Sequence, residues 1–478
     1  MAGVAFYLHL YVSTPTHMQP VDKQRIHLIA VGGAVMHQLA IALQTLGHTV
    51  TGSDDEIYNP ARDHLTYHEL LPDRMGWHPE RIDDTIDSVI VGMHARRDNP
   101  ELLKAQELGI PIYSYPEYIY AHSTQKKRVV LAGSHGKTTT TAMVMHVLRY
   151  HDIDFDYLVG ARLAGFDRMV RLSYAPIIVI EGDEYLSAPT DRRSKFLHYK
   201  PHIAVITGIA WDHINVFPTF ESYLDTFEKF VASMPEESTL IYYQHDMYLP
   251  QLVKDHAAAQ RIVAYQSPPY EVADDHTLLH LDGGERRQVQ VFGQHNLENM
   301  QAARLACLEL GVGEEQFYEA IASFTGAAKR LQHLGGGTTT DVYLDFAHAP
   351  SKVKATTTAM QERYAERRLV AVVELHTFSS LSRDFLPHYA NALDGAERAY
   401  VYYSPHTLAM KKMPQLSPEE VGGAFRHPNL EVYTDAAALR EALLGLEWAD
   451  TNLLIMTSGQ LGGTDFKKLA NAVTGGKN

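Results

Sequence analysis

One cysteine, Cys307, in 478 residues rules out an intrachain disulfide and fits a reducing compartment. No apolar run approaches the ~20 residues needed to cross a bilayer, so membrane insertion is not expected. Positive charge is also short. The chain has 42 Lys and Arg against 57 Asp and Glu, and its net charge of -15 argues against nonspecific binding to nucleic acid or an anionic membrane. A local cationic pocket for an anionic small molecule is still compatible with that balance. The stretch Val4-Ala5-Phe6-Tyr7-Leu8 has no basic residue before it, so no secretory signal is expected; Met18 is a candidate start. These absences point to a cytoplasmic protein. What is present is 45% hydrophobic residues over a length that suits about three domains.

The most informative stretch is Gly133-Ser134-His135-Gly136-Lys137-Thr138-Thr139, entered from the apolar Val129-Val130-Leu131 and followed by helical spacing from Ala142 to Tyr150. Glycines let successive backbone N–H groups converge on phosphate oxygens, Lys137 offers a point charge, and Thr138 offers a hydroxyl to Mg²⁺. The motif is shortened, since Leu131 stands where the full pattern has its first glycine. A glycine-rich turn between strand and helix is the competing reading.

Hydrophobic patterning divides the chain into three αβ blocks, 25–125, 126–325 and 326–478. The expected class is α/β, with a Rossmann-like first domain, a central phosphate-loop domain and a Rossmann-like third. In the first block the run from Ile26 to Val31 ends in Gly32 and Gly33, and a second strand ends at Asp54, about 20 positions on, where such units bind a sugar hydroxyl. Ala30 and Val35 occupy two expected glycine positions, so a plain turn competes here as well. Asp282-Gly283-Gly284-Glu285 suggests a hairpin turn, and Gly335-Gly336-Gly337 a joint between domains.

Carboxylates follow the strand that ends at Ile180, and Glu181 is the expected Mg²⁺ ligand, with Asp183 and Glu184 close by. The next strand leads to Asp212-His213, where His213 is a candidate for a second metal; a surface or core histidine is the bland alternative. His295, Asn296 and Asn299 open a helix, and amides on one face suit an adenine edge, although Asn296 could equally be an N-cap. Lys329-Arg330 brings positive charge to a joint, and Asp345-Phe346-Ala347-His348 follows a strand.

In this order the motifs resemble the Mur ligase family, over roughly residues 26 to 470. The resemblance implies an ATP- and Mg²⁺-dependent ligase that extends UDP-N-acetylmuramic acid through an acyl phosphate. It implies a catalytic set of Lys137, Glu181, His213, Arg330 and His348, with metal at Thr138, Glu181 and His213. ATP would lie on residues 133–139, His295, Asn296, Asn299, Arg330 and Asp345. Gly32, Gly33, Asp54 and Asn99 would receive the UDP-sugar, and His376, Ser404 and His406 the amine substrate.

The basic segment Asp191 to Tyr199 is shorter in the L-alanine-adding members, so the resemblance implies a murein tripeptide acceptor, L-alanyl-γ-D-glutamyl-meso-diaminopimelate, and a wider amine-side pocket. His376 stands where many peptide-adding members have arginine. Addition of L-alanine is the alternative within the family. A nucleotide-sensing protein without turnover is the alternative outside it. Glu228 or Lys229 falls where sister enzymes carry a carbamylated lysine, and the sequence does not decide between them.

Overall fold

The computed structural model describes residues 23–211, 214, 216–257, 261–273, 276–326 and 329–475. Four sheets organise them, three of which carry the α/β architecture. The first is fully parallel, in the order Thr49–Ser53, Arg25–Ile29, Ser88–Val91, Ile112–Ser114. Its first strand stops at Ile29, earlier than the apolar run suggests. Ala30 takes φ +65 and starts the turn itself, in a conformation that glycine adopts without steric cost.

The central sheet has seven strands, with Lys127–Ala132 between Ile203–Ile206 and Ile177–Glu181. Strands leave this centre in both directions, which places a crevice at their carboxyl ends. Continuous apolar runs are what such strands need, because both faces are covered: Val129, Val130, Leu131, Ile178, Val179 and Ile180 are fully buried. Helices Lys137–Tyr150 and Gln294–Glu309 pack together on one face. The other face holds helix Phe220–Ala232 and shares its core with helix Ala34–Thr45 of the first block, so these two blocks are packed on each other. Strands Thr277–His280 and Arg286–Val289 are antiparallel and joined across residues 282–285, as the glycines suggest.

The third sheet runs Gln332–Gly336, Asp341–Asp345, Thr451–Met456, Arg368–Leu375, Arg398–Tyr403, Leu430–Tyr433, and only its first strand is antiparallel. The glycines at 335–337 are therefore not a joint. Gly335 and Gly336 pair in a strand, and Gly337 donates to the Thr340 carbonyl at 2.7 Å to close a hairpin.

Candidate functional site

The crevice is a cavity of about 770 Å³ between the central and third sheets. The phosphate loop forms one wall. Gly133 and Gly136 have φ of +120 and +73, and a side chain at Gly136 would overlap the Asn299 amide. Ser134 Oγ lies 2.7 Å from the Tyr223 hydroxyl and accepts from the Ala210 amide at 2.8 Å, which pins the loop to the chain after strand Ile203–Ile206. His135 Nε2 meets Ser351 Oγ at 2.9 Å, a contact between the loop and the third block.

Lys137 does not extend into open space. Its ammonium donates to the Gly133 carbonyl at 2.6 Å and to Glu184 at 2.8 Å, and the Glu184 side chain is fully buried. Burial opposes the lysine charge, but Glu184, with Asp183 and Glu181, outweighs it and holds the pKa above the ordinary value. Thr138 donates to Glu181 Oε1 at 2.5 Å, while Glu181 Oε2 accepts from the Gly160 amide at 2.8 Å. Two hard oxygen donors thus face each other beside the loop, a set that fits a hard divalent cation. Asp212 and His213 lie outside the described residues.

From the other wall, Arg330 reaches Thr138 Oγ1 at 3.4 Å and stacks over the Phe346 ring at 4.5 Å. Burial lowers its pKa against the pull of Asp345 and Glu181. Asp345, expected to fasten a nucleotide, is occupied with the backbone: it accepts from Leu331 N at 2.6 Å and Ala347 N at 2.7 Å. His348 lines the cavity, its Nδ1 donating to the Phe346 carbonyl at 2.8 Å. His295, Asn296 and Asn299 line it too. Asn296 is not the N-cap, since the helix begins at Gln294; its side chain donates to the Phe292 carbonyl at 3.2 Å. Burial lowers the His295 pKa despite Asp345.

A second cavity, of about 510 Å³, adjoins the first through His376 and Ser458. The carboxyl ends of three strands of the third sheet and the loops after them meet there, supplying Glu374, Ser404 and Gly459 among others. His406 is exposed and lines neither cavity, because the turn of helix Pro405–Met410 presents Thr407 instead.

A third cavity, of about 600 Å³, is lined by Gly32, Gly33 and Asp54. Asp54 accepts from the Gly32 amide at 2.7 Å, and burial, with Asp55 beside it, pushes its pKa up to about 6. Asn99 is not at this cavity. It is buried, and its Oδ1 caps helix Pro100–Glu107 by accepting from Glu101 and Leu102. Arg162 of the central block also lines this cavity, a contribution that no motif announces.

The 191–199 segment is likewise placed differently from expectation. It lines none of these three cavities and packs towards the first block, with Arg193 bridging Asp191 and Glu117 and His198 lying 3.2 Å from Asp191. Lys195 links it to the crevice through Asp183 at 2.9 Å. Glu228 and Lys229 are on the surface of helix Phe220–Ala232, near His256 and paired to Asp225 respectively, and neither lines the crevice. Glu184 was legible only as one carboxylate among three.

Comparison with known families accounts for all three blocks. The profile described as Mur ligase family, catalytic domain, matches residues 25–127; Mur ligase middle domain matches 131–307; and Mur ligase, glutamate ligase domain, matches 329–461. The chain belongs to the Mur ligase family. Mur ligases are ATP-dependent enzymes that form amide bonds in peptidoglycan synthesis and use Mg²⁺.

Relatives of two kinds are similar to this Mur ligase. The UDP-N-acetylmuramate–L-alanine ligase of Arthrobacter sp. (strain FB24) is 30% identical over 79% of this chain and 80% of its own length. The UDP-N-acetylmuramate–L-alanyl-gamma-D-glutamyl-meso-2,6-diaminoheptandioate ligase of Haemophilus influenzae is 27% identical over 93% of this chain and 98% of its own. Among solved structures, a murein peptide ligase from Psychrobacter arcticus shares the fold with TM-score 0.64 and 23% identity, over 94% of this chain and 99% of that one. No described helix is long and apolar enough to cross a membrane.

Proposed function

We propose that this Mur ligase joins the lactyl carboxylate of UDP-N-acetylmuramate to the amine of L-alanyl-γ-D-glutamyl-meso-diaminopimelate, as a step of peptidoglycan recycling in the cytoplasm. The observation that carries the tripeptide is the second cavity. It adjoins the phosphate-loop crevice through His376 and Ser458 and offers about 510 Å³ that a free alanine would leave unfilled. Similarity to tripeptide-adding proteins over 93% of the chain supports the same reading. Addition of L-alanine is the second reading, favoured by the 30% identity to the Arthrobacter enzyme.

In this reading the lactyl carboxylate attacks the ATP γ-phosphorus, ADP leaves, and the acceptor amine then displaces phosphate from the acyl phosphate. Backbone N–H groups of residues 133–139 cradle the phosphates, and Lys137 exchanges Glu184 for the transferring phosphoryl. Thr138 and Glu181 would hold Mg²⁺, which would supply positive charge beside the transferring phosphoryl group. Arg330 follows the phosphoryl oxygens, with Asp345 fixing the backbone on either side of it. His295, Asn296 and Asn299 meet the nucleoside, and His348 lies by the incoming amine. Gly32, Gly33 and Asp54 take the UDP moiety. Contact between the blocks over the crevice excludes water from the acyl phosphate. The test is kcat/KM for tripeptide and for L-alanine at saturating ATP and UDP-N-acetylmuramate. A higher value for L-alanine overturns the tripeptide reading.

A further inference from the structure

The second cavity carries two opposite charges that are not neutralised by each other. Glu374, at the end of strand Arg368–Leu375, is 4% exposed and lines it. One carboxylate oxygen, Oε2, accepts from the Thr457 hydroxyl and from the Leu461 amide at 2.9 Å. Glycine at 459 permits this wrapping, since a Cβ there would stand 2.8 Å from Oε2. The other oxygen, Oε1, accepts no hydrogen bond among the described residues, and His376 Nδ1 lies 3.9 Å from it. Lys329 lines the same cavity and makes no ion pair among the described residues. A carboxylate braced on one oxygen and open to the cavity on the other is set to receive a hydrogen bond from a cationic group.

We propose that this cavity reads a zwitterionic amino-acid end, with an ammonium against Glu374 and a carboxylate against Lys329. It thereby selects an acceptor whose far end carries both charges on one carbon. This rests on the tripeptide reading, because only the diaminopimelyl residue supplies such an end at a distance from the reacting amine. Glu374 and Lys329 are then specificity residues. The reacting groups are in the adjoining crevice, and His376 and Ser458 mark the passage between them.

Three acceptors separate the two charges: tripeptides ending in meso-diaminopimelate, in lysine, which lacks the distal carboxylate, and in 2-aminopimelate, which lacks the distal ammonium. With the full-length enzyme, kcat/KM is expected to fall about tenfold or more for each truncated peptide, mainly through KM. Glu374→Gln keeps the shape and the acceptor for Leu461. It is expected to lower kcat/KM about tenfold for the diaminopimelyl and lysyl peptides and much less for the aminopimelyl one. Lys329→Met is expected to penalise the diaminopimelyl and aminopimelyl peptides and spare the lysyl one. Equal losses on all three peptides in Glu374→Gln would mean that Glu374 only braces the 457–463 loop, and that result overturns the proposal. Equal use of the three peptides by the wild type overturns it as well and leaves the tripeptide reading standing. Turnover of L-alanine with none of the peptides overturns both.

Discussion

Arg162 donates to His64 Nε2 across 2.7 Å, and this bond fixes the protonation of two histidines. A guanidinium only donates, so His64 Nε2 must be bare and its proton must sit on Nδ1. That nitrogen faces His37 Nε2 at 3.1 Å, and His37 in turn keeps its proton on Nδ1, 2.8 Å from the Gly33 carbonyl. A chain of donors thus runs from the central block to the glycine turn of the first, along the wall of the third cavity.

Both rings are therefore held neutral. Burial lowers the His37 pKa against the Gly33 carbonyl, with His64 and Arg162 adding to the fall; burial and Arg162 lower that of His64 against Asp63. A histidine whose folded pKa is depressed is protonated first in the unfolded chain as pH falls. Its contribution is fully present above about 6.5 and is lost below. Asp54, raised to about 6, works in the opposite sense, since its contribution is lost as pH rises through that value. Melting curves from pH 5 to 8 are expected to show a steeper acid-side loss in the wild type than in His64→Gln. Parallel profiles would remove the histidine chain as its cause.

The Lys137–Glu184 pair makes the phosphate loop a question of stability as well as of chemistry. Lys137→Met removes the charge assigned to the phosphates, so ligation should be lost. It also strips the ammonium from a carboxylate that is fully buried, at a cost of about 3 kcal/mol or more. The double variant Lys137→Met with Glu184→Gln should regain most of that stability and none of the activity. Denaturant unfolding of the two variants, beside a phosphate-release assay, separates these effects; a single variant as stable as wild type would contradict the pairing.

Much of this was legible in the sequence where one local rule dominates. Buried parallel strands need continuous apolar runs, and the loop from Gly133 to Thr139 announces itself by spacing, so the α/β class and the turn from strand to helix at the crevice could be read. What could not be read depends on which of several equivalent groups packing selects. Three carboxylates follow Ile180, and only the folded chain shows Glu184 taking Lys137 while Glu181 turns to Thr138. Asn99 was expected at the UDP-sugar because a buried N-cap and a binding amide are the same residue type at the same kind of loop end. The 191–199 segment misled because it was expected to widen the amine-side pocket, whereas its cations pair with Asp191, Glu117 and Asp183 and hold it away from that pocket.

Thr138 and Glu181 offer a direct test of the metal assignment. Glu181→Gln keeps an acceptor for Gly160 but halves the hard-oxygen capacity, so the Mg²⁺ concentration needed for half-maximal rate should rise about tenfold or more. Crystals soaked with Mn²⁺ and an ATP analogue should place an anomalous peak between these two side chains. A peak elsewhere in the crevice, with none here, would reassign the metal.

Asp345 braces the third block's side of the crevice. Each of its oxygens accepts a backbone N–H, one from Leu331 and one from Ala347, and so it ties together the segments that carry Arg330 and the Phe346 ring beneath it. Asn has one acceptor and one NH₂ group, and the latter would face an N–H donor. Asp345→Asn should therefore cost about 1 to 3 kcal/mol of stability, as expected when a buried donor loses its partner. It should also let Arg330 leave its position near Thr138 Oγ1, lowering kcat more than it raises the KM for UDP-N-acetylmuramate, whose proposed cavity lies against a different sheet. Glu at this position keeps the charge but adds a methylene, so it should restore little. Steady-state kinetics with each substrate varied in turn, together with thermal melts, check both parts. A variant with wild-type kcat and reduced stability would confine Asp345 to holding the fold.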